Sequence, residues 1–255
     1  MSKIYNPAMK YFRTATFGEN VKCLRCCLLP GGRLFLVENF GCHGYVFDPE
    51  THQWDTLEFD NPIHDVTLLK NHKCVVVTAG SKGFQEMNMK NFHTKQYQKA
   101  GGNFQAINQF GDKIAVHNDF RKLSVMDTHG NVTSTINTKY DPWYVTTDDH
   151  NCIFWTNGKH GEIHCEQVRG LKRFIHHNAK IDCPSGLTLD KRGALYVAGY
   201  DSHNIHKFSQ DGQYQGEILR ESDGIKHPYD IAFNNDKEEL VVLNEDGAAI
   251  SIYKL

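Results

Sequence analysis

The 255-residue sequence has no run of about 18 apolar residues, so no membrane-spanning helix is expected. Met1 to Lys10 contain no apolar stretch long enough for a signal-peptide core, and the chain is expected to be cytoplasmic. Charge of neither sign dominates. Lys and Arg total 28 and Asp and Glu total 30, a formal net charge of -2, so no global attraction to DNA or to an anionic membrane is expected and any such binding is confined to a local patch. A dinucleotide fingerprint GxGxxG, a phosphate loop and a serine elbow are all missing, which removes the usual sequence grounds for nucleotide binding or serine hydrolysis. Helical periodicity is nearly missing as well.

What the chain does have is a repeated short-strand pattern. Leu187 to Leu189, Ala194 to Ala198, Ile205 to Phe208 and Tyr214 to Leu219 read as four strands, with turn residues at Asp190 to Gly193 and Gln210 to Gly212. The same layout recurs over about 22–59, 64–97, 104–137, 143–176, 184–219 and 228–255. Its most apolar strands, Leu34 to Val37, Cys74 to Val77, Ile114 to Val116, Cys152 to Trp155, Leu195 to Val197 and Leu240 to Leu243, return about every 40 residues. A period near 40 with four strands per unit predicts an all-β, six-bladed β-propeller spanning 1–255 as one domain. The last unit stops one strand short, and Tyr11 to Phe17 is an extra strand with no unit of its own. That segment is expected to complete the last blade, because an unpaired strand edge is a liability.

The stretch Pro184 to Phe208, PxGLxLDxxGxLYVAxxxxHxIxxF, resembles the NHL repeat, and the resemblance persists at Pro228 to Phe233. It is weaker in the first four repeats, which keep the layout. NHL propellers are best known from the C-terminal domains of tripartite-motif ubiquitin ligases and related translational regulators. The resemblance therefore implies a module that binds protein or RNA through one face, as a substrate-recognition domain of such a ligase or as a post-transcriptional regulator. No RING or B-box cysteine spacing is present, so ligase chemistry is not expected in this chain.

Chemistry-bearing clusters are sparse. The eight cysteines read as reduced thiols, and Cys23 to Cys27 holds half of a zinc spacing with no second half. His160, His164 and Cys165 share a hairpin, but neighbouring strand residues point to opposite faces. Fifteen histidines keep open a channel metal site of the propeller-lyase or hydrolase kind, with His64 and His227 and the carboxylates Asp65, Asp182 and Asp230 as its members. Neither a metal nor another cofactor is expected, and the domain is expected not to be an enzyme. Trp54 and Trp155 read as core, and Arg169 to Arg173 as a solubilising turn on the opposite face.

The expected binding face is the one carrying the turns between second and third strands and the connections between blades. Its aromatic, histidine and basic residues are Phe40, His43, Lys82, Phe84, Phe120, Arg121, Lys122, Trp143, Tyr144, Lys159, His160, Tyr200, His203, His227 and Tyr229. Rings of this kind serve as interface anchors or as stacking platforms for unpaired bases. Glu38, Asp119, Asp141, Asp182, Asp201, Glu245 and Asp246 lie in or beside the same loops and offset the positive charge. A protein partner is favoured, RNA is the alternative, and the isolated domain is expected to be a monomer.

Overall fold

The computed structural model describes residues 10–17, 21–38, 41–70, 74–78, 83–89, 91–93, 104–148, 151–168, 172–177 and 180–254. They form β-strands joined by turns, with a few three-residue 3-10 segments. The N-terminal strand is β1 (Lys10–Thr16). The first sheet holds β2 (Cys23–Leu28), β3 (Leu34–Glu38), β4 (His43–Asp48) and β5 (Gln53–Glu58). The second holds β6 (Val66–Leu68), β7 (Cys74–Thr78) and β8 (Phe84–Asn88), and the third β9 (Ala106–Phe110), β10 (Lys113–Asp119), β11 (Lys122–Met126) and β12 (Val132–Asn137). The fourth comprises β13 (Tyr144–Thr147), β14 (Cys152–Asn157), β15 (Glu162–Gln167) and β16 (Lys172–His177). The fifth comprises β17 (Pro184–Leu189), β18 (Leu195–Gly199), β19 (Asn204–Phe208) and β20 (Tyr214–Leu219). In the last, β21 (Asp230–Asn234), β22 (Glu239–Asn244) and β23 (Ala249–Lys254) are joined by β1.

Five sheets are complete four-stranded antiparallel blades. The sheet of β6, β7 and β8 has three described strands, and the fourth strand expected by residue 97 falls among residues 94–97, outside the described residues. The strand read from sequence as Tyr11 to Phe17 spans Lys10–Thr16 and pairs antiparallel with β23, from Lys10 opposite Lys254 to Thr16 opposite Ala249. Phe17 extends the seam through its amide, which donates to the Ala248 carbonyl at 3.1 Å.

Apolar layers lie between neighbouring sheets and account for the sequence pattern. Phe35, Val37, Ile63 and Met87 fill the gap between first and second sheets. Phe84, Phe104, Ile107 and Val116 fill the next, and Ala115, Val125, Ile153 and Trp155 the one between third and fourth. Phe154, Cys165, Leu187 and Phe208 join fourth to fifth, Tyr196, Ile231, Leu240 and Tyr253 join fifth to last, and Leu34, Leu36, Val241 and Ile250 join last back to first. A strand in the middle of a sheet packed on both faces must be apolar on both, so β14 and β22 are buried at every position. Each large side chain buried in these layers contributes about 1.5–3 kcal/mol. Fourth strands lie at the rim, and β5 and β12 are mostly exposed.

That gradient corrects one expectation. Trp54, read as core, is 38% exposed on rim strand β5, where it stacks on Phe47 at 4.2 Å and meets Phe17 edge-on at 5.3 Å. Trp155, read the same way, is fully buried.

Candidate functional site

The first strand of each sheet lies beside the first strand of the next, β2 next to β6 and so on to β21, which returns to β2. Together these strands line a cavity of about 150 Å³ whose walls are residues 25–28, 65–67, 107–108, 144–146, 187–188 and 230–233. At its mouth lies Arg25. Its side chain leaves β2 and reaches the fourth sheet, where Nη2 donates to the Trp143 carbonyl at 2.6 Å and the guanidinium lies 3.6 Å over the Tyr144 ring. Nε faces Asp65 Oδ2 at 3.7 Å, and both side chains are almost wholly buried.

Two carboxylates from opposite flanks complete this plug. Asp65 accepts the amides of Val66 and Ile107 at 2.8 Å each, which ties the second sheet to the third. Asp230 accepts the amides of Ile231 and Cys26 at 2.9 Å each, which ties the last sheet to the first. Burial pushes the Asp65 carboxyl up to about 6 and the Asp230 carboxyl up to about 7, with Arg25 acting in the opposite direction on both. Burial opposes the Arg25 charge, but Tyr144, Asp65 and Asp230 outweigh it and hold the guanidinium above its usual value. The Cys26 thiol is raised well above the ordinary range and that of Cys27 to about 12, both by burial first, which makes them poor nucleophiles. Gly186 permits the neighbouring approach, because a Cβ there would strike Asp230 and the Ile231 amide.

Sequence reading missed Arg25, although a signal existed. Arg25 lies near the start of β2, Asp65 directly before β6, and Tyr144 and Asp230 open β13 and β21, so a charged or polar residue recurs close to where the first strand of these repeats begins. The carboxylates considered for a metal, Asp65 and Asp230, converge on a guanidinium. Among the described residues no three His, Cys, Asp or Glu side chains form a metal-binding group.

Around this mouth the expected loops divide into two regions. At the third sheet, Phe120 is 68% exposed at the tip of the β10–β11 turn and lies 4.7 Å from the Arg121 guanidinium. Arg121 holds φ at 50°, its amide donates to Asp141 Oδ1 at 2.6 Å, and its carbonyl accepts the Thr138 amide at 2.9 Å. Lys122 pairs with Asp119 at 3.2 Å. Trp143, two residues beyond Asp141, is 40% exposed, and in the fourth sheet Lys159 and His160 are exposed, with the His160 ring stacked 3.5 Å from Tyr140. The Arg121–Asp141 bond thus holds the turn bearing Phe120 to the connection bearing Trp143.

At the fifth and last sheets the expected residues form a packed cluster. Tyr200 lies 5.0 Å from Tyr229 and 4.9 Å from His227, His203 lies 4.1 Å from His227, and the Tyr200 hydroxyl donates to Asp246. Positive φ concentrates here. Of the nine described non-glycine residues with positive φ, Arg121, Cys183, His203, His227, Glu245 and Asp246 lie on this face. Such strain costs roughly 1–3 kcal/mol each and gathers at functional loops.

Two expected anchors are not surface residues. Phe84, the first residue of β8, is fully buried and packs 6.1 Å from Phe104 in the layer between second and third sheets. Tyr144 is 7% exposed and forms the floor under Arg25. His43, half-buried, pairs with Glu38 at 2.7 Å. Phe40 and Lys82 lie outside the described residues, as do residues 169–171 of the basic turn.

No protein-family model matches the chain, and no curated protein sequence matches it. Among solved structures it is similar to the crystal structure of the Myceliophteria thermophila Cps50 (Swd1) beta-propeller domain, with TM-score 0.68 and 11% identity over 91% of this chain and 82% of that one. The fold is a β-propeller. At this identity the likeness extends to the fold alone.

Proposed function

We propose that the chain is a six-bladed propeller of the NHL type, in which β6, β7 and β8 belong to a blade of their own beside the five four-stranded ones, acting as a non-enzymatic recognition domain that binds a protein partner on its loop face. The observation that carries this reading is the pair of exposed rings, Phe120 and Trp143, on two loops joined by the Arg121–Asp141 hydrogen bond. Large exposed rings beside an arginine, held by their own framework, match the composition of interface hot spots. The fold supports a scaffold role, and the NHL resemblance of Pro184 to Phe208 supports the narrower setting of a tripartite-motif-type ubiquitin ligase. A reducing cytoplasmic setting goes with this reading, because Cys23, Cys26, Cys27, Cys42 and Cys183 are thiols.

RNA is the weaker reading because Asp119, Asp182, Asp201, Glu245 and Asp246 share the face. Quantitative affinity capture with the wild-type domain and with Phe120→Ala/Arg121→Ala tests the choice. Loss of the captured proteins by a double variant with unchanged melting temperature is expected. An unchanged set of captured proteins refutes the reading, and capture abolished by ribonuclease and falling steeply with salt assigns the face to RNA.

A further inference from the structure

The uncommitted charge of the loop face is split between two sectors of the ring. In the sector of the third and fourth sheets the acidic groups are already engaged. Asp119 pairs with Lys122 at 3.2 Å, and Glu162 with Lys139 at 3.0 Å. Asp141 accepts the Arg121 amide and lies 3.6 Å from His117. What remains is the Arg121 guanidinium and the Lys159 ammonium, both exposed and without an ion pair among the described residues, beside Phe120 and Trp143.

In the sector of the fifth and last sheets the balance is reversed. Asp182, Asp201, Glu245 and Asp246 stand against Lys180 and Lys226; Asp246 accepts the Tyr200 hydroxyl, and none of the four carboxylates has an ion pair among the described residues. Asp201 and Glu245 are exposed at the tips of their turns. Between the two sectors the channel mouth holds two carboxylates for one guanidinium. A polyanion crossing the face would gain contacts at Arg121 and Lys159 and meet repulsion at Asp201 and Glu245.

We infer that the occupant is one extended protein segment of divided charge, with an apolar residue flanked by carboxylates on the Phe120–Trp143 sector and lysine or arginine on the Asp201–Glu245 sector. This rests on the protein-recognition reading above. The charges sit at the rim, so they set orientation and select against single-sign partners, while the rings supply the anchor.

The test uses a randomised 12-residue peptide library displayed on phage and selected on the intact domain. Enriched peptides are expected to carry acidic and apolar residues toward one end and basic residues toward the other. A selected peptide, measured by fluorescence anisotropy, should lose about tenfold in affinity to Arg121→Glu/Lys159→Glu and about tenfold to Asp201→Lys/Glu245→Lys. The quadruple variant should select peptides with the order of the ends reversed. Enrichment of single-sign or uncharged peptides, no enrichment at all, an unchanged affinity in both double variants, or a uridine oligonucleotide binding as tightly as the selected peptide overturns the inference. The readings remain separable. Affinity capture that still depends on Phe120 and Arg121, with no charge bias in the library, sinks the divided-charge segment and leaves protein recognition standing.

Discussion

Replacing Arg25 with Met keeps an unbranched apolar stem, two atoms shorter, and removes the charge that two buried carboxylates face. Three contributions are lost: the charge-assisted hydrogen bond to the Trp143 carbonyl at 2.6 Å, the stacking at 3.6 Å over Tyr144, and the compensation of Asp65 and Asp230. A desolvated cation over a ring is worth about 2 kcal/mol, and breaking a buried ion pair from one side costs about 3–5 kcal/mol. The contributions overlap, so a total near 3–5 kcal/mol is expected at pH 8. At pH 5.5 the cost should fall to about 1–3 kcal/mol, because there the bond and the stacking are the principal losses. The two carboxyls, already raised to about 6 and about 7 by burial, can take up protons in place of standing as unpaired charges. Without Arg25 both rise further, so the destabilisation grows with pH. Urea unfolding of wild type and variant at the two pH values measures this. The triple variant Arg25→Met/Asp65→Asn/Asp230→Asn, which keeps amide acceptors for Ile107 and Cys26, should recover much of the loss at pH 8. A loss equal at both pH values, or below about 1 kcal/mol at pH 8, refutes the plug.

Asp65 and Asp230, raised from 3.8, contribute stability that is present below that value and is lost as pH rises through about 6 and about 7. His206, depressed from 6.5 to about 4 by burial, acts in the opposite sense, its contribution being present above 6.5 and lost as pH falls through about 4. Asp230→Asn should therefore melt with a smaller drop between pH 5 and pH 8 than wild type does, and an unchanged drop counts against burial of that carboxyl. Gly247→Ala should destabilise by more than about 2 kcal/mol in urea unfolding, because its φ of 78° disfavours a side chain and a Cβ would strike the Cys23 backbone across the seam. Deleting residues 1–17 removes β1 from β23 and should lower the melting temperature and promote concentration-dependent association, measured by light scattering.

The repeat was legible because it is written locally. A strand buried on both faces must be a continuous apolar run, as in Leu34 to Val37 or Leu240 to Leu243, and such runs returning every 40 residues force one sheet per period. The seam was legible for a similar reason, since a repeat lacking one strand and an orphan strand at the other terminus need each other. Rim strands carry no such constraint, and Trp54 on β5 was misplaced accordingly.

The binding face was legible only as a set of loops. Phe84 and Phe120 both stand at turns between second and third strands, yet one is fully buried and the other 68% exposed. What separates them is Phe104, which meets Phe84 from the next sheet, and no turn rule contains that neighbour. Arg25 was hidden more completely, in a strand read for its cysteines, because its partners are Trp143 and Tyr144 in another sheet and Asp65 and Asp230 in two more. The sequence alone determined the sheets, their repeat and the strand that closes the ring, since these follow from local burial and pairing. The tertiary structure alone decided which loop rings meet solvent and which charges meet one another, since groups such as the Cys26 amide and the Asp230 carboxylate, 204 residues apart, converge only when the ring is closed.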